Sequence, residues 1–355
     1  MSTTEQQALD RASIAKIDPT DQLGDILALP EHLRDAQWKA ESAGLTPWDS
    51  PAGMVVAGMG GSAIGGELAR AALSDQASRP LINSRAYGVP PWTTPDTTVL
   101  CASYSGNTEE TLASYEAGKA LGAKIVVVSS GGRLPELARA DGVPVIPVAG
   151  GLQPRAAVGY MTVAALQVAG LCGLGPKLST SVDVTAERLE ELVVQWGPDA
   201  PEDSLAKSLA RKIHGSVPII AGAGLTAAIA YRWKTQFNEN AKVPAWAAEL
   251  PELDHNEIVG WGGAAPLGRF SAIFLDDSDI HPRVRDRIEL TSELIADGAV
   301  GVHRVETQGR SAFARVFSLV LLGDLVSLYV AALSGIDPGP VEVIEKLKGA
   351  LADRE

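Results

Sequence analysis

The sequence predicts an α/β protein made of two similar units, each a mainly parallel sheet with helices on both faces. Short apolar strands such as Met54–Ala57 alternate with helix-length segments over most of the chain, which is typical of parallel sheets. Glycine-rich turns follow two of these strands, at 58–66 and 222–224. The order strand, glycine turn, helix, strand, helix, strand, helix occurs twice, which indicates a degenerate internal repeat.

The pattern divides the chain into four segments. In order they are an N-terminal helical segment, a first unit, a linker with a helix, and a second unit ending in a C-terminal helix: 1–50, 51–175, 176–200 and 201–355. Residues 54–71 of the first unit can be aligned with 218–235 of the second. The most irregular connection is expected at 173–185, which contains a Gly-Pro pair.

Each expected element follows from local patterning. Strands are predicted where three to six residues, mostly apolar, stand between turn residues, at 54–57, 81–83, 99–102, 125–129, 143–148, 217–221, 272–275 and 300–305. Helices are predicted where apolar residues recur at helical spacing, at 112–121, 155–171, 186–196, 227–237, 283–295, 311–333 and 341–351. A further helix extends from the first glycine turn to about residue 73, and a short one follows residue 132.

Composition and charge exclude several classes of function. With 46% apolar and 21% charged residues, the 355-residue chain is globular and long enough for two domains. A net charge of −13 argues against nucleic acid or an anionic membrane as a partner. Residues 316–335 are almost wholly apolar but include Asp324, so we expect a helix buried in the core or a subunit interface rather than a membrane span.

Cysteine use and the N-terminus indicate a cytoplasmic protein. Cys101 and Cys172 lie in apolar runs, as expected for buried free thiols in a reducing compartment. The first thirty residues lack a basic stretch followed by an apolar one, so no signal peptide is predicted.

A turn rich in hydroxyl groups follows the 99–102 strand and precedes a helix. It contains Ser103, Ser105 and Thr108 around Gly106. Backbone N–H groups at a helix N-terminus favour an anion, and the hydroxyls add further donors. A simple N-cap at Thr108 would explain one hydroxyl, but three within six residues indicate an anion site.

The first glycine turn does not match the common nucleotide-binding motifs. Gly58, Gly60 and Ala63 fit a dinucleotide fingerprint, yet the next strand ends in Asn83 where an acid would hold a ribose. Gly66 and Glu67 stand where a P-loop has Lys and Ser/Thr, so we expect no cofactor. What remains is Ser62 at a helix N-terminus, at the sheet edge that also carries Ser103.

The second unit carries a different chemistry. In place of the hydroxyl turn it has carboxylates at 276–279, which would repel a phosphate. Its notable features are Glu239, flanked by two asparagines at a helix end, and His255 in a polar loop. Together they provide a carboxylate base and an imidazole that titrates near neutrality. The histidines are scattered without metal-ligand spacing, so we expect no metal.

Four segments of the chain together resemble the bifunctional phosphoglucose/phosphomannose isomerases, a family of the SIS (sugar isomerase) superfamily. They are 58–66, 103–111, 237–242 and 251–261. The hydroxyl turn alone is typical of any SIS domain. The Asn-Glu-Asn-Ala-Lys and His-Asn-Glu-Ile segments, in which Glu239 and His255 are 16 positions apart, are far more specific.

The resemblance implies a metal-free, cofactor-free isomerase that interconverts fructose 6-phosphate with glucose 6-phosphate or mannose 6-phosphate through a cis-enediol. It assigns the phosphate to Gly61, Ser62, Ser103, Ser105 and Thr108. It implies a homodimer in which one subunit's histidine completes the other's site. The resemblance makes Glu239 the base and places Arg155 in contact with the enediolate. It assigns ring opening to His255, from the partner subunit, and to Lys348 on the C-terminal helix.

Several alternatives remain open at this level. A SIS-type sensor would need the Ser103 turn but neither Glu239 nor His255. An amino-sugar isomerase would usually require an amidotransferase segment, and none with an N-terminal cysteine is present. Lys346 competes with Lys348 for the ring-opening role. Gly339 stands where related sequences often carry threonine, which makes mannose 6-phosphate the weaker part of the prediction.

Overall fold

The computed structural model describes residues 7–177 and 179–354. The chain begins with three helices, α1 (Arg11–Ile14), α2 (Gln22–Leu27) and α3 (Leu29–Ser42). The last of these packs against helices α7 (Val158–Leu171) and α8 (Ser179–Trp196). The N-terminal segment therefore covers the body of the protein, as amphipathic helices do.

The first unit is a five-stranded parallel sheet. Its strands are β1 (Met54–Ala57), β2 (Leu81–Ser84), β3 (Thr98–Ala102), β4 (Lys124–Ser129) and β5 (Val145–Pro147), in the order β2-β1-β3-β4-β5. Helices α4 (Gly60–Leu73), α5 (Glu109–Ala120) and α6 (Arg133–Ala140) connect them. β1, β3 and most of β4 are buried throughout, as expected for parallel strands covered on both faces.

The second unit is a four-stranded parallel sheet. Helix α9 (Leu205–Ile213) precedes strands β6 (Val217–Gly222), β7 (Trp246–Glu249), β8 (Phe270–Asp276) and β9 (Gly301–Glu306), ordered β7-β6-β8-β9. The remaining helices are α10 (Ala227–Asn240), α11 (Glu257–Gly260), α12 (Pro282–Leu294), α13 (Ala312–Leu333) and α14 (Glu342–Ala352). The predicted fold class of two similar, mainly parallel units is thus confirmed.

The two sheets correspond strand by strand. In each, the first strand in sequence lies between the second and the third, and the fourth lies outside the third. The turn after β8 is therefore the topological equivalent of the turn after β3. The sequence prediction missed β7, an exposed edge strand of only four residues, and it placed irregular chain at 179–185, where α8 has already begun.

Helix α13 runs through the middle of the molecule. It is long and apolar enough to span a bilayer, yet 94% of its apolar window is buried within the protein, which confirms the prediction of a buried helix. One hydrophobic cluster extends from β1, α4 and α7 across α13 to α10. The two units therefore share a single core, and residues from both can contribute to one site.

Candidate functional site

The hydroxyl turn after β3 is held in shape by its own side chains. The hydroxyls of Ser103 and Thr108 lie 2.9 Å apart, and Ser103 Oγ also accepts from the N–H of Gly106 at 3.0 Å. Thr108 occupies the N-cap position of α5, but its side chain makes no capping hydrogen bond. Within the described residues the N-terminus of α5 therefore has no side-chain cap at Thr108, which leaves its N–H groups open to an anion.

Backbone geometry explains the glycine in this turn. Gly106 has φ of +68°, a left-handed conformation that favours glycine. A Cβ at this position would lie 1.8 Å from the carbonyl oxygen of Gly131. The close approach of the two turns leaves no room for a side chain, and it packs the Ser103 turn against the end of β4.

The N-terminus of α4 lies beside the hydroxyl turn. Ser62 Oγ accepts from the N–H of Tyr104 at 3.1 Å, so the two predicted phosphate-binding segments are joined directly. A Cβ at Gly61 would lie 2.6 Å from the carbonyl oxygen of Pro154 and 3.3 Å from the Cα of Arg155. Gly61 thus allows the segment that carries Arg155 to contact the helix end.

Arg155 connects the two units. Its side chain is 4% exposed, and its Nε donates to Asn240 Oδ1 at 2.8 Å. One Nη lies 3.4 Å from Glu239 Oε2, and the other donates to the carbonyl oxygen of Pro338 at 2.7 Å. Burial lowers the pKa of Arg155 and the Glu239 carboxylate opposes that effect. The arrangement places a buried cation against the predicted base.

A buried ion pair lies behind Arg155. Arg232 donates to Asp324 Oδ2 at 2.6 Å and to the carbonyl oxygen of Arg155 at 3.1 Å. Burial raises the pKa of Asp324, while the neighbouring Arg232 lowers it. Asn240, the partner of Arg155, also donates to Ser327 Oγ at 2.9 Å. Arg155 and the end of α10 are therefore fixed to the central helix α13.

Lys242 also contacts the cluster formed by Arg155, Glu239 and Pro338. Its Nζ donates to the carbonyl oxygen of Glu239 and, at 3.1 Å, to that of Pro338. The residue as a whole is exposed, but its ammonium end lies against these carbonyls. Burial there, together with the Arg155 charge, lowers the pKa of Lys242, whereas Asp337 and Glu239 oppose the shift.

The N-terminal segment also reaches this region. A Cβ at Gly339 would lie 2.5 Å from Thr20 Oγ1, so Thr20 occupies the space that a side chain at position 339 would need. Asp25 lies within electrostatic range of Arg155. Burial first, and then the carboxyls of Asp21 and Asp18, raise the pKa of Asp25 to about 6, with Arg155 opposing.

Two predicted catalytic residues lie apart from this group. His255 ends a short 3-10 helix (Glu252–His255) and is exposed. Lys348 lies on α14, where its Nζ is 3.0 Å from Glu345 Oε1 and its side chain is 64% exposed. Lys346 is likewise exposed, 3.7 Å from Glu342. Within the described residues, no hydrogen bond or ion pair links any of them to Glu239 or Arg155.

The turn after β8 contains paired carboxylates. Asp276 accepts from Arg304 Nε at 2.9 Å, and Asp277 Oδ1 lies 2.8 Å from Arg315 Nε. That N–H is not aimed along the contact, so the attraction is mainly between the charges. Asp279 lies 2.8 Å from another nitrogen of Arg315. This edge of the second sheet is thus neutralised by side chains of the protein.

Sequence reasoning gave no role to four residues of this region: Asn240, Lys242, Thr20 and Asp25. Asn240 and Lys242 belong to the Asn-Glu-Asn-Ala-Lys segment, so their position beside Glu239 was a usable signal. A charge inside a long apolar helix, as at Asp324, indicates a buried partner but does not identify it. Nothing in the N-terminal segment pointed to the site.

Comparison with known proteins identifies the family of the chain. The sequence model of one protein family, the bacterial phospho-glucose isomerase C-terminal SIS domain, matches residues 202–351. The bifunctional phosphoglucose/phosphomannose isomerase of Caldicellulosiruptor bescii is 43% identical over 303 residues, which cover 84% of this chain and 89% of that protein. The protein of the same name from Aquifex aeolicus is 36% identical over 316 residues, covering 89% and 94%.

A solved structure shows the same fold at low identity. A hypothetical protein from Thermus thermophilus superposes with a TM-score of 0.74 and 16% identity, over 98% of this chain and 93% of that one. The curated relatives, by contrast, are 43% and 36% identical in sequence over most of both chains. The chain belongs to the family of bifunctional phosphoglucose/phosphomannose isomerases.

Proposed function

We propose that the protein interconverts fructose 6-phosphate with glucose 6-phosphate, and with mannose 6-phosphate, without a metal or a cofactor. The observation that carries the proposal is the pairing of Glu239 with the buried Arg155, at 3.4 Å, next to the helix end that carries Ser62. A carboxylate base and a fixed cation are the two groups that an aldose–ketose proton transfer requires.

In the proposed mechanism the phosphate fixes the substrate at the N-termini of α4 and α5. Ser62, Ser103, Ser105 and Thr108 supply hydroxyl groups around these helix ends, and Gly61 leaves the approach open. These groups bind the substrate and the transition state about equally. They therefore hold the sugar in place without themselves speeding the reaction.

Glu239 then moves one proton between two carbons. Starting from open-chain glucose 6-phosphate, the carboxylate removes the proton on C2, and the electron pair forms the C1–C2 double bond of a cis-enediolate. The carboxylic acid returns that proton to C1, while a proton passes from O2 to O1, which gives fructose 6-phosphate. The Arg155 guanidinium stabilises the oxyanion. If the intermediate first rotates, return of the proton to the other face of C2 gives the mannose epimer.

A coupled assay tests this function. Purified protein is supplied with fructose 6-phosphate, and the glucose and mannose products are measured separately, with and without EDTA. We expect both products, glucose 6-phosphate faster, at rates that EDTA does not change. Loss of activity in EDTA would contradict the metal-independent mechanism. Binding of fructose 6-phosphate without turnover would favour the alternative, a non-catalytic SIS-type sensor.

We further propose a homodimer in which His255 opens the sugar ring in the partner's site. The exposed position of His255, away from Glu239 of its own chain, supports this arrangement. Mixing Glu239→Gln with His255→Ala chains, after dissociation and reassembly, should restore about a quarter of the wild-type activity, because half the dimers then carry one complete site. No activity beyond that of the separate variants would argue against the shared site.

A further inference from the structure

Lys242 closes a ring of contacts around the proposed base. Arg155 contacts the Glu239 carboxylate at 3.4 Å and donates to the carbonyl oxygen of Pro338 at 2.7 Å. Lys242 donates to the backbone carbonyl of Glu239 and to the same Pro338 oxygen at 3.1 Å. Two cations therefore hold Glu239, one through its side chain and one through its backbone, and both are fixed to one carbonyl.

The backbone of Lys242 indicates that its side chain matters. The residue follows the C-cap of α10 and has φ of +56°. This left-handed conformation after a helix is usually taken by glycine, which adopts it without steric cost. A lysine at this position is less favourable for the backbone than a glycine would be. The stability of the turn therefore does not explain the lysine, whereas the contacts of its ammonium group do.

We infer that Lys242 is a positioning residue. By fixing the end of α10 to the segment around Pro338, it keeps the Glu239 carboxylate beside the Arg155 guanidinium. The inference rests on the proposed function of Glu239 as the base. Within the described residues, the charged groups that face the ammonium are Glu239 and Arg155 from the site and Asp337 from the neighbouring segment.

The consequence of losing the ammonium follows from the geometry. The carbonyl of Glu239 belongs to the last turn of α10, where carbonyls lack helical partners and a cation is favourable. Without Lys242 this turn and the Pro338 segment lose one of their two shared donors, and Arg155 alone remains. Because the Glu239 side chain is 29% exposed and, within the described residues, only Arg155 bonds its carboxylate, little else restrains it. Misplacement of a base by about 1 Å can lower turnover by roughly 10²-fold.

Three variants and one control test the inference. Lys242→Met removes the charge and keeps the stem, Lys242→Arg keeps a cation, and Lys242→Gly removes the side chain while suiting the backbone. Lys234→Met is the matched control, because Lys234 lies on the same helix with its Nζ 4.0 Å from the Tyr231 ring and away from the Glu239 group. For each we would measure kcat, KM, Tm and amide hydrogen exchange of 335–341.

We expect Lys242→Met and Lys242→Gly to lower kcat by at least about tenfold while KM changes less than about threefold, since the phosphate contacts stay intact. Lys242→Arg should recover most of the loss, and Lys234→Met should match wild type. Lys242→Gly should not lower Tm, which separates positioning from general stability. An unchanged kcat in Lys242→Met and Lys242→Gly, or a Tm loss that parallels the kcat loss, would overturn the inference.

The hydrogen-exchange measurement separates this inference from the proposed function. If wild type fails to isomerise any of the sugar phosphates, the proposed function is wrong. Faster exchange at 335–341 in Lys242→Met than in Lys234→Met would then still support the fixing role of Lys242. Equal exchange in the two variants would overturn that role, whatever the activity of the wild type.

Discussion

The turns after β3 and β8 occupy equivalent places in the two sheets, yet their chemistry is opposite. The first contains Ser103, Ser105 and Thr108, and among the described residues the helix that follows has no side-chain capping bond at its N-cap, Thr108. The second contains Asp276 and Asp277, both buried and both paired with arginines. The polar groups at the end of a parallel strand can thus be paired either with a ligand or with charged side chains of the protein itself.

The difference suggests how one repeat can divide a reaction between its two copies. The first unit keeps the open helix ends and would bind the phosphate. In the second unit, ion pairs of the protein occupy the equivalent edge of the sheet. This unit contributes α10, whose last turn carries Glu239. Arg155 belongs to the first unit in sequence but contacts Glu239 and Asn240 of the second. The proposed site therefore depends on the core that both units share.

The largest expected effect comes from the second unit. Replacing Glu239 by Gln keeps the shape of the side chain but removes the base, so kcat should fall by at least ~10²-fold. The measurement is the steady-state rate with fructose 6-phosphate. A variant that retains wild-type turnover would remove Glu239 from the role of base and with it the proposed division between the units.

Asp277→Asn tests whether the turn after β8 is structural. Asp277 is 6% exposed on its side chain and lies 2.8 Å from the buried Arg315. Removing one partner of a buried pair should lower the free energy of unfolding by about 2–4 kcal/mol, measured by urea denaturation, with KM unchanged. A raised KM with normal stability would mean that this turn binds the substrate after all.

Ser105→Ala tests the first unit. The Ser105 side chain is exposed and accepts only from the N–H of Asn107, at 3.3 Å, within the described residues, so its loss should leave stability nearly unchanged. We expect KM to rise at least roughly tenfold, since one hydrogen bond to a charged group contributes about 1.5–3 kcal/mol. Comparison with Ser42→Ala, an exposed serine at the end of α3, controls for general effects.

Asp25→Asn should give the smallest effect, and one that depends on pH. Burial raises the pKa of Asp25 to about 6, so the folded state favours its protonated form. The stability from that preference is present at about pH 4 and is lost as pH rises through 6. The variant should therefore gain about 1–2 kcal/mol over wild type at pH 8 and almost nothing at pH 4.

Urea denaturation at the two pH values measures this effect. Asp75→Asn, at an exposed position, is the control and should show no such trend. A stability difference for Asp25→Asn that is the same at both pH values would contradict the assigned burial of the carboxyl.

Local patterns were enough to predict most of the fold. The strands at β1, β3, β4, β6 and β8 are apolar runs with turn residues at their ends, and each lies within two residues of its predicted position. β7 escaped because it is a short edge strand with exposed Trp246. Tertiary pairing to β6, which local patterning does not report, makes it a strand.

The site was harder to predict because its contacts are distant in sequence. Arg155 and Glu239 are 84 positions apart, and Arg232 and Asp324 are 92 apart. Periodicity and turn chemistry describe neighbours within one element, and pairs of this kind appear only when the units pack. The resemblance suggested Arg155 and Glu239 separately, whereas the ring through Lys242 and Pro338 required the fold.

Binding of fructose 6-phosphate in a catalytically inactive background tests the division between the two units most directly. Isothermal titration would compare Glu239→Gln with the double variants Glu239→Gln/Ser105→Ala and Glu239→Gln/Asp277→Asn. We predict that Glu239→Gln binds as tightly as wild type within about threefold, that adding Ser105→Ala weakens binding at least roughly tenfold, and that adding Asp277→Asn has no effect. Weaker binding from Asp277→Asn with none from Ser105→Ala would contradict the account.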